Sequence, residues 1–153
     1  ELSHNEIVRP PKGTTHVVLD TPAGLHGKRL DAVLRITTKL LIPLQPSLFD
    51  IQATHAFLGA LRTHPRAAEI KLGLVAMRVR EHTLANDQLH QYLATLNVPV
   101  VAWLRDTQNY VQAAAHGLTI FDLPASRAEK DWQQWQPIFD WIAQPPDQAG
   151  GSR

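Results

Sequence analysis

Short apolar runs alternate along this chain with stretches in which apolar residues recur every three or four positions. Residues 15 to 20, THVVLD, are β-branched and apolar and predict a short buried strand that ends on a carboxylate. From Arg29 to Ile36 the spacing of Leu30, Val33 and Leu34 is helical. Lys39 to Leu44, KLLIPL, predicts a second buried strand, ended by Pro43. A helix from Asp50 to Arg62 would carry Ile51, Thr54, Phe57, Leu58 and Leu61 on one face. Residues 70 to 77, IKLGLVAM, give a third strand, and Leu84 to Leu96 a helix aligning Leu89, Leu93 and Leu96. Val98 to Leu104, VPVVAWL, gives a fourth, followed by a short helix over residues 107 to 115 and the apolar segment LTIF. Ala128 to Ile142 closes the pattern with Trp132, Trp135, Phe139 and Ile142 in one helical stripe, leaving Trp141 off it as the exposed ring.

Four apolar runs separated by helical stretches predict βα repeats: an α/β fold with a mostly parallel sheet covered by helices on both faces. Residues 1 to 14, broken by Pro10, Pro11 and Gly13, read as a lead-in loop, residues 15 to 143 as one α/β domain, and residues 144 to 153 as a disordered tail. Composition agrees with a folded body, since 44% of residues are apolar and 19% charged. The net charge of +1 demands neither nucleic acid nor an anionic membrane as partner. The absence of cysteine excludes disulfides, thiolate metal sites and cysteine nucleophiles, and suits a reducing compartment. No apolar run approaches the roughly 20 residues that span a bilayer, and the first residues lack the order of a secretory signal, so the expectation is a cytoplasmic protein without a membrane partner.

Ligands of parallel α/β sheets gather at the carboxyl ends of strands, where helix N-termini also point. Asp20 stands at such an end, either as a site carboxylate or as a plain turn former. Two lysines near it do not make a phosphate loop. Gly24-Leu-His-Gly27-Lys28-Arg29 has too few residues between its glycines and Arg where a hydroxyl belongs, and Lys12-Gly13-Thr14-Thr15 precedes the strand it should follow. No histidine pair has the i, i+4 spacing of a zinc helix, no serine sits in a Gly-x-Ser-x-Gly elbow, and His116 before Gly117 reads as a helix cap.

The succession "VVLDTPAG", "KLLIPLQPSLFDIQAT", "LGLVAM" and "LRDTQNYVQAAAHGLTIFD", over about residues 15 to 142, resembles the ParA/MinD family of deviant Walker ATPases, and especially the short ParA-type partition proteins. Gln45-Pro46-Ser47 followed by Phe49-Asp50 carries most of that resemblance. It implies that Asp20 serves the magnesium shell, through water, or the attacking water. Thr21, Pro22, Ala23 and Gly24 would then form a switch-like turn. Gln45, Pro46, Met77, Arg105 and Asp106 would border the nucleotide. ATP and magnesium would be the cofactors of the complete protein, a homodimer its working form, a ParB-like protein its stimulating partner, and nucleoid DNA its track for plasmid, chromosome or other cargo. The basic residues Arg62, Arg66, Lys71, Arg78 and Arg80 are either a solvated face or, as the resemblance allows, the candidates for nonspecific DNA binding.

Two departures bear on activity. The family's Gly-rich turn with two lysines belongs upstream of residue 15, and Ala76, Met77 and Arg78 stand where an Asn is frequent. Without lysine and backbone donors nothing offsets the charge of the β- and γ-phosphates. This chain alone is therefore expected neither to hydrolyse ATP nor to bind it tightly. A sheet lacking strands near its centre is also expected to leave an edge and an apolar face open, favouring oligomerisation. The alternative reading is a non-catalytic ParA-like interaction module that keeps a dimer or partner surface.

Overall fold

The structure is a computed structural model that describes residues 10–22 and 24–145. It divides into two compact units, Glu1–Val33 and Leu34–Arg153. The expectations for residues 1 to 9 and for the tail from residue 146 lie outside the described residues.

In the first unit Thr14 closes a turn, its amide and hydroxyl both donating to the Pro11 carbonyl at 3.2 and 2.8 Å. Residues 15 to 20 do not form the expected strand. Val17, Val18 and Leu19 are 58, 85 and 45% exposed, and no ladder partner pairs with them among the described residues. β-branched composition favours a pleated, half-buried surface, but a strand exists only through its neighbour's hydrogen bonds. Helix α1 (Gly27–Leu34) then leads into the second unit.

The second unit is α/β. Strands β1 (Lys39–Leu44), β2 (Lys71–Val79) and β3 (Val100–Arg105) form one parallel sheet in that order, three strands where the sequence suggested four. Helices α2 (Leu48–Arg62), α3 (Leu84–Ala94), α4 (Gln108–Ala115) and α5 (Ala125–Ala143) follow the strands. Both faces are covered, so β2 is apolar on both. Leu74 and Ala76 pack with Leu58 of α2 and with Leu89 and Leu93 of α3. Val75, between them, packs with Ala102, Leu104 and Ile138 of α5 on the opposite face. Gly73, also in β2, is required by a close approach: a Cβ there would lie 2.6 Å from Val101 Cγ2 and 3.1 Å from the Trp141 ring.

Helix α5 runs against the strands, from the carboxyl end of β3 to the amino end of β1. Its most buried residues are Ala128, Asp131, Ile138 and Trp141, and Trp135 and Ile142 of the expected stripe pack beside them; the stripe is corrected at two positions, since Trp141 is 7% exposed and Phe139 is 43% exposed. The rotation follows from Asp131, a buried carboxylate that an apolar pattern counts as surface. At the amino end Lys39 Nζ donates to the carbonyls of Trp141 at 2.8 Å, Ile142 at 2.6 Å and Gln144, and Lys71 Nζ reaches Gln144 Oε1 at 2.9 Å. Lys39 thereby satisfies carbonyls that the end of a helix leaves without intrahelical partners, and Lys71 holds the side chain of Gln144 beside them.

Pro137 lies inside α5, on its exposed side. It removes one backbone donor and crowds the carbonyl one turn back, yet the helix continues because packing residues flank it on both sides. Pro137→Ala is expected to stabilise the fold by about 1–2 kcal/mol, the helix gain being offset in part by a freer unfolded chain. Thermal unfolding followed by circular dichroism should show a midpoint higher by about 3–6 °C. An unchanged or lower midpoint would mean that the ring packs rather than merely being tolerated. Among the described residues no helix is long and apolar enough to cross a membrane.

Candidate functional site

The three strands are parallel, so their carboxyl ends share one edge, and the helices that follow them start there. Each start has a Ser or Thr cap. Ser47 Oγ accepts from the Asp50 amide, Thr83 Oγ1 from the Asn86 amide and Thr107 Oγ1 from the Asn109 amide. Three helix N-termini, each with partial positive charge, therefore face the same side of the sheet.

Between the first two of them is an open cleft of about 320 Å³, lined by Gln45, Pro46, Ser47, Arg78, Arg80 and Asp106, with Thr83 at one wall. The Gln45 turn is fixed by its own amide, which donates to Asp50 Oδ2 at 2.9 Å. The end of β2 is irregular. The pairing register with β3 shifts between Ala76 and Val79, and Arg78 has φ 53°, a left-handed conformation that costs a residue with a Cβ about 1–2 kcal/mol. The Asp106 amide donates to Val79 O at 2.9 Å, closing the strand ends together.

Across this closure Asp106 binds both arginines. Arg78 Nε lies 3.3 Å from Oδ1, and Arg80 Nε and Nη2 lie 2.6 and 2.5 Å from Oδ2. The hydrogen bond from Arg80, helped by that from Arg78 and by both charges, holds the Asp106 carboxyl below the usual carboxylate range against the opposing effect of burial.

Behind the cleft a second network fixes the loop from β3 to α4. Asp131 is completely buried and accepts from Arg105 Nε at 2.5 Å, Arg105 Nη2 at 3.2 Å and Asn109 Nδ2 at 2.8 Å. Arg127 Nε donates to Asn109 Oδ1 at 3.1 Å, and the Arg105 amide donates to Gln134 Oε1 at 2.9 Å. Burial alone would push the Asp131 carboxyl up. The hydrogen bonds from Arg105 and Asn109 and the charge of Arg105 outweigh it, and the carboxyl sits below its ordinary value.

Of the residues nominated from sequence, Gln45, Pro46 and Asp106 line one cleft, joined by Arg78 and Arg80, which the sequence offered only as DNA contacts. Arg105 is not among its lining residues; its guanidinium is committed to Asp131. Met77 packs into the apolar cluster beneath α5. Asp20, Thr21 and Pro22 belong to the first unit and are exposed. Arg66 binds Glu69 at 2.9 Å and donates to the carbonyls of Leu34, at 3.2 Å, and Arg35. Arg62 lines a smaller cleft of about 160 Å³ with His55 and Thr95. The basic residues that cluster in sequence are thus split, since β2 separates Lys71 from Arg80 by roughly 30 Å.

The cleft's chemistry suits an anion or a polar ring edge. It offers little to magnesium, which takes oxygen ligands: Asp106 is the one carboxylate among its lining residues, its oxygens are taken by arginine, and no three His, Cys, Asp or Glu side chains converge among the described residues. His116 does cap α4, its Nδ1 2.7 Å from Gln112 O. The sequence missed Asp131 and Asn109. The available signal was a carboxylate three residues after buried Ala128, in the register of a core face.

No protein-family model matches the chain, and comparison with curated protein sequences gave no match. Among solved structures it is similar to the MinD cell division protein of Aquifex aeolicus, with a TM-score of 0.59 and 17% sequence identity. The match covers 82% of this chain and 52% of that one, so the chain spans about half the length of that structure. The likeness establishes the fold: a parallel α/β sheet with helices, of the kind found in that MinD structure.

Proposed function

We propose that the chain is part of a ParA/MinD-type ATPase that positions plasmid, chromosome or other cargo in the cytoplasm, and that its carboxyl-edge cleft is the base or outer-phosphate side of the nucleotide site. The cleft carries this reading: the turn after β1, the bulged end of β2 and Asp106 after β3 meet at the strand ends, with two arginines for an anion. In the complete form Asp20, with Thr21 and Pro22, would serve the magnesium and water side, two copies would associate around ATP, and a ParB-like partner and nonspecific DNA would couple turnover to movement.

Titrating magnesium-ADP and magnesium-ATP into the isotope-labelled chain tests the nucleotide assignment. Amide shifts confined to Gln45, Arg78, Arg80 and Asp106, saturating on the order of millimolar, are expected for a site without a phosphate loop. Shifts elsewhere, or none, would overturn the assignment. No phosphate release above a buffer control is expected, and release above it would show that the chain hydrolyses ATP unaided. The rival, a non-catalytic interaction module, is supported by the same cleft, because no lysine lines it and its arginines already hold a carboxylate. Such a module would self-associate equally with and without ATP in sedimentation.

A further inference from the structure

The two arginines of the cleft and their carboxylate are not equally fixed. The Asp106 side chain is 18% exposed and its amide is locked to Val79 O, whereas the Arg78 and Arg80 side chains are 63% and 70% exposed. The carboxylate belongs to the wall, and the guanidinium groups are the parts free to turn. Each guanidinium has five N–H donors. Arg78 spends only its Nε–H on Asp106, and Arg80 its Nε–H and one Nη2 donor. Both therefore keep donors directed at neither Asp106 nor any other described residue.

The base of each arginine is held more firmly than its tip. The Arg80 carbonyl accepts from Thr83 Oγ1 at 2.9 Å, tying it to the start of α3, and Arg78 is set by the bulge beside Val79. Two cations thus converge on one anion at the mouth of a cleft open enough to admit another. A doubly charged phosphate offers more acceptors to paired arginines than a single carboxylate does, and bidentate arginine contacts match its geometry.

We infer that Asp106 is a built-in competitor for the ligand phosphate: it holds Arg78 and Arg80 at the cleft mouth, and a phosphate-bearing ligand binds by taking these arginines from it. The inference rests on reading the cleft as a nucleotide-side site, and it adds a restraint on that site. Asp106 both preorganises the two guanidinium groups and repels the anion they are to receive. Removing its charge while keeping its shape should leave the arginines in reach and tighten phosphate binding.

The experiment uses inorganic pyrophosphate, without nucleotide, titrated at low ionic strength into the wild-type chain and into Asp106→Asn, Arg78→Gln and Arg80→Gln, with affinity read from amide shifts. Removing one like charge at this distance should strengthen pyrophosphate binding by about fivefold in Asp106→Asn, whereas either arginine variant should weaken it by a similar factor. Equal or weaker binding by Asp106→Asn overturns the inference, as does unchanged binding by both arginine variants. Asp106→Ala, which cannot donate or accept in place of the carboxylate, should also bind more tightly, and circular dichroism confirms that each variant is folded. The two readings fail separately. If ADP shifts the cleft residues but Asp106→Asn gains nothing, the competitor role is lost and the nucleotide assignment stands. If pyrophosphate tightens as expected while nucleotides leave the cleft unmoved, the restraint is real and its ligand is another phosphate compound.

Discussion

Asp131→Ala should lower the unfolding free energy by about 3–5 kcal/mol, because it leaves Asn109 Nδ2 and the Arg105 guanidinium without their anion and opens a gap beneath α5. Urea denaturation followed by tryptophan fluorescence gives this directly. The Asp131→Leu/Arg105→Met pair, which removes both charges and keeps the volume, should recover most of the loss. A single variant with near wild-type stability would mean that the pair is already solvated.

The same group predicts a pH dependence. The folded-state carboxyl lies below its ordinary value, so the unfolded chain takes up the proton first as acid is added. Its contribution is fully present above the unfolded value of about 3.9 and is lost as pH falls through the lower, folded value. Asp131→Asn should therefore show a shallower loss of stability below about pH 4 than the wild type. The slope should not vanish, because Asp106 and Asp122 are also held low, by Arg80 and Thr119 respectively.

Gly73→Ala should cost about 1–3 kcal/mol, and Gly73→Val more than that, which is a large part of the 5–15 kcal/mol that holds a small domain together. The obstacle is not backbone conformation but space: a Cβ would meet Val101 Cγ2 at 2.6 Å, Trp141 Cζ2 at 3.1 Å and Leu41 Cδ2 at 3.2 Å. Truncating the nearest neighbour should help. In a double-mutant cycle Val101→Ala should cost less in the Gly73→Ala background than alone, and strict additivity would show that the strain lies elsewhere.

Much of the second unit is legible in sequence because its chemistry is local. The strand cores around residues 39–44, 71–77 and 100–104 are apolar on both faces, and Ser47, Thr83 and Thr107 mark helix starts by side chains that reach only two or three residues. The turn at Gln45 and Pro46 and the presence of Asp106 at the site follow from the parallel order of the strands. What sequence could not give depends on partners far along the chain. Arg105 reads as a free basic residue until Asp131, 26 positions away, is placed against it. Residues 15 to 20 have the composition of a strand but no ladder neighbour, and composition does not supply one. The α5 stripe is legible at Trp135 and Ile142, which pack against the core, but not at Trp141, because a fully buried member of the inner face is an acid and because Trp141 meets a residue with no side chain.

The lysine at the start of β1 has a consequence for assembly. Lys39 grips carbonyls 102, 103 and 105 positions away, so this contact forms only when nearly the whole second unit has been threaded between them. Closing so long a loop brings its entropic cost before its reward, and contacts of that separation slow folding. The first strand of the sheet is thus secured by the last helix of the unit. During synthesis β1 emerges early but stays unlatched until the residues near 142 have left the ribosome.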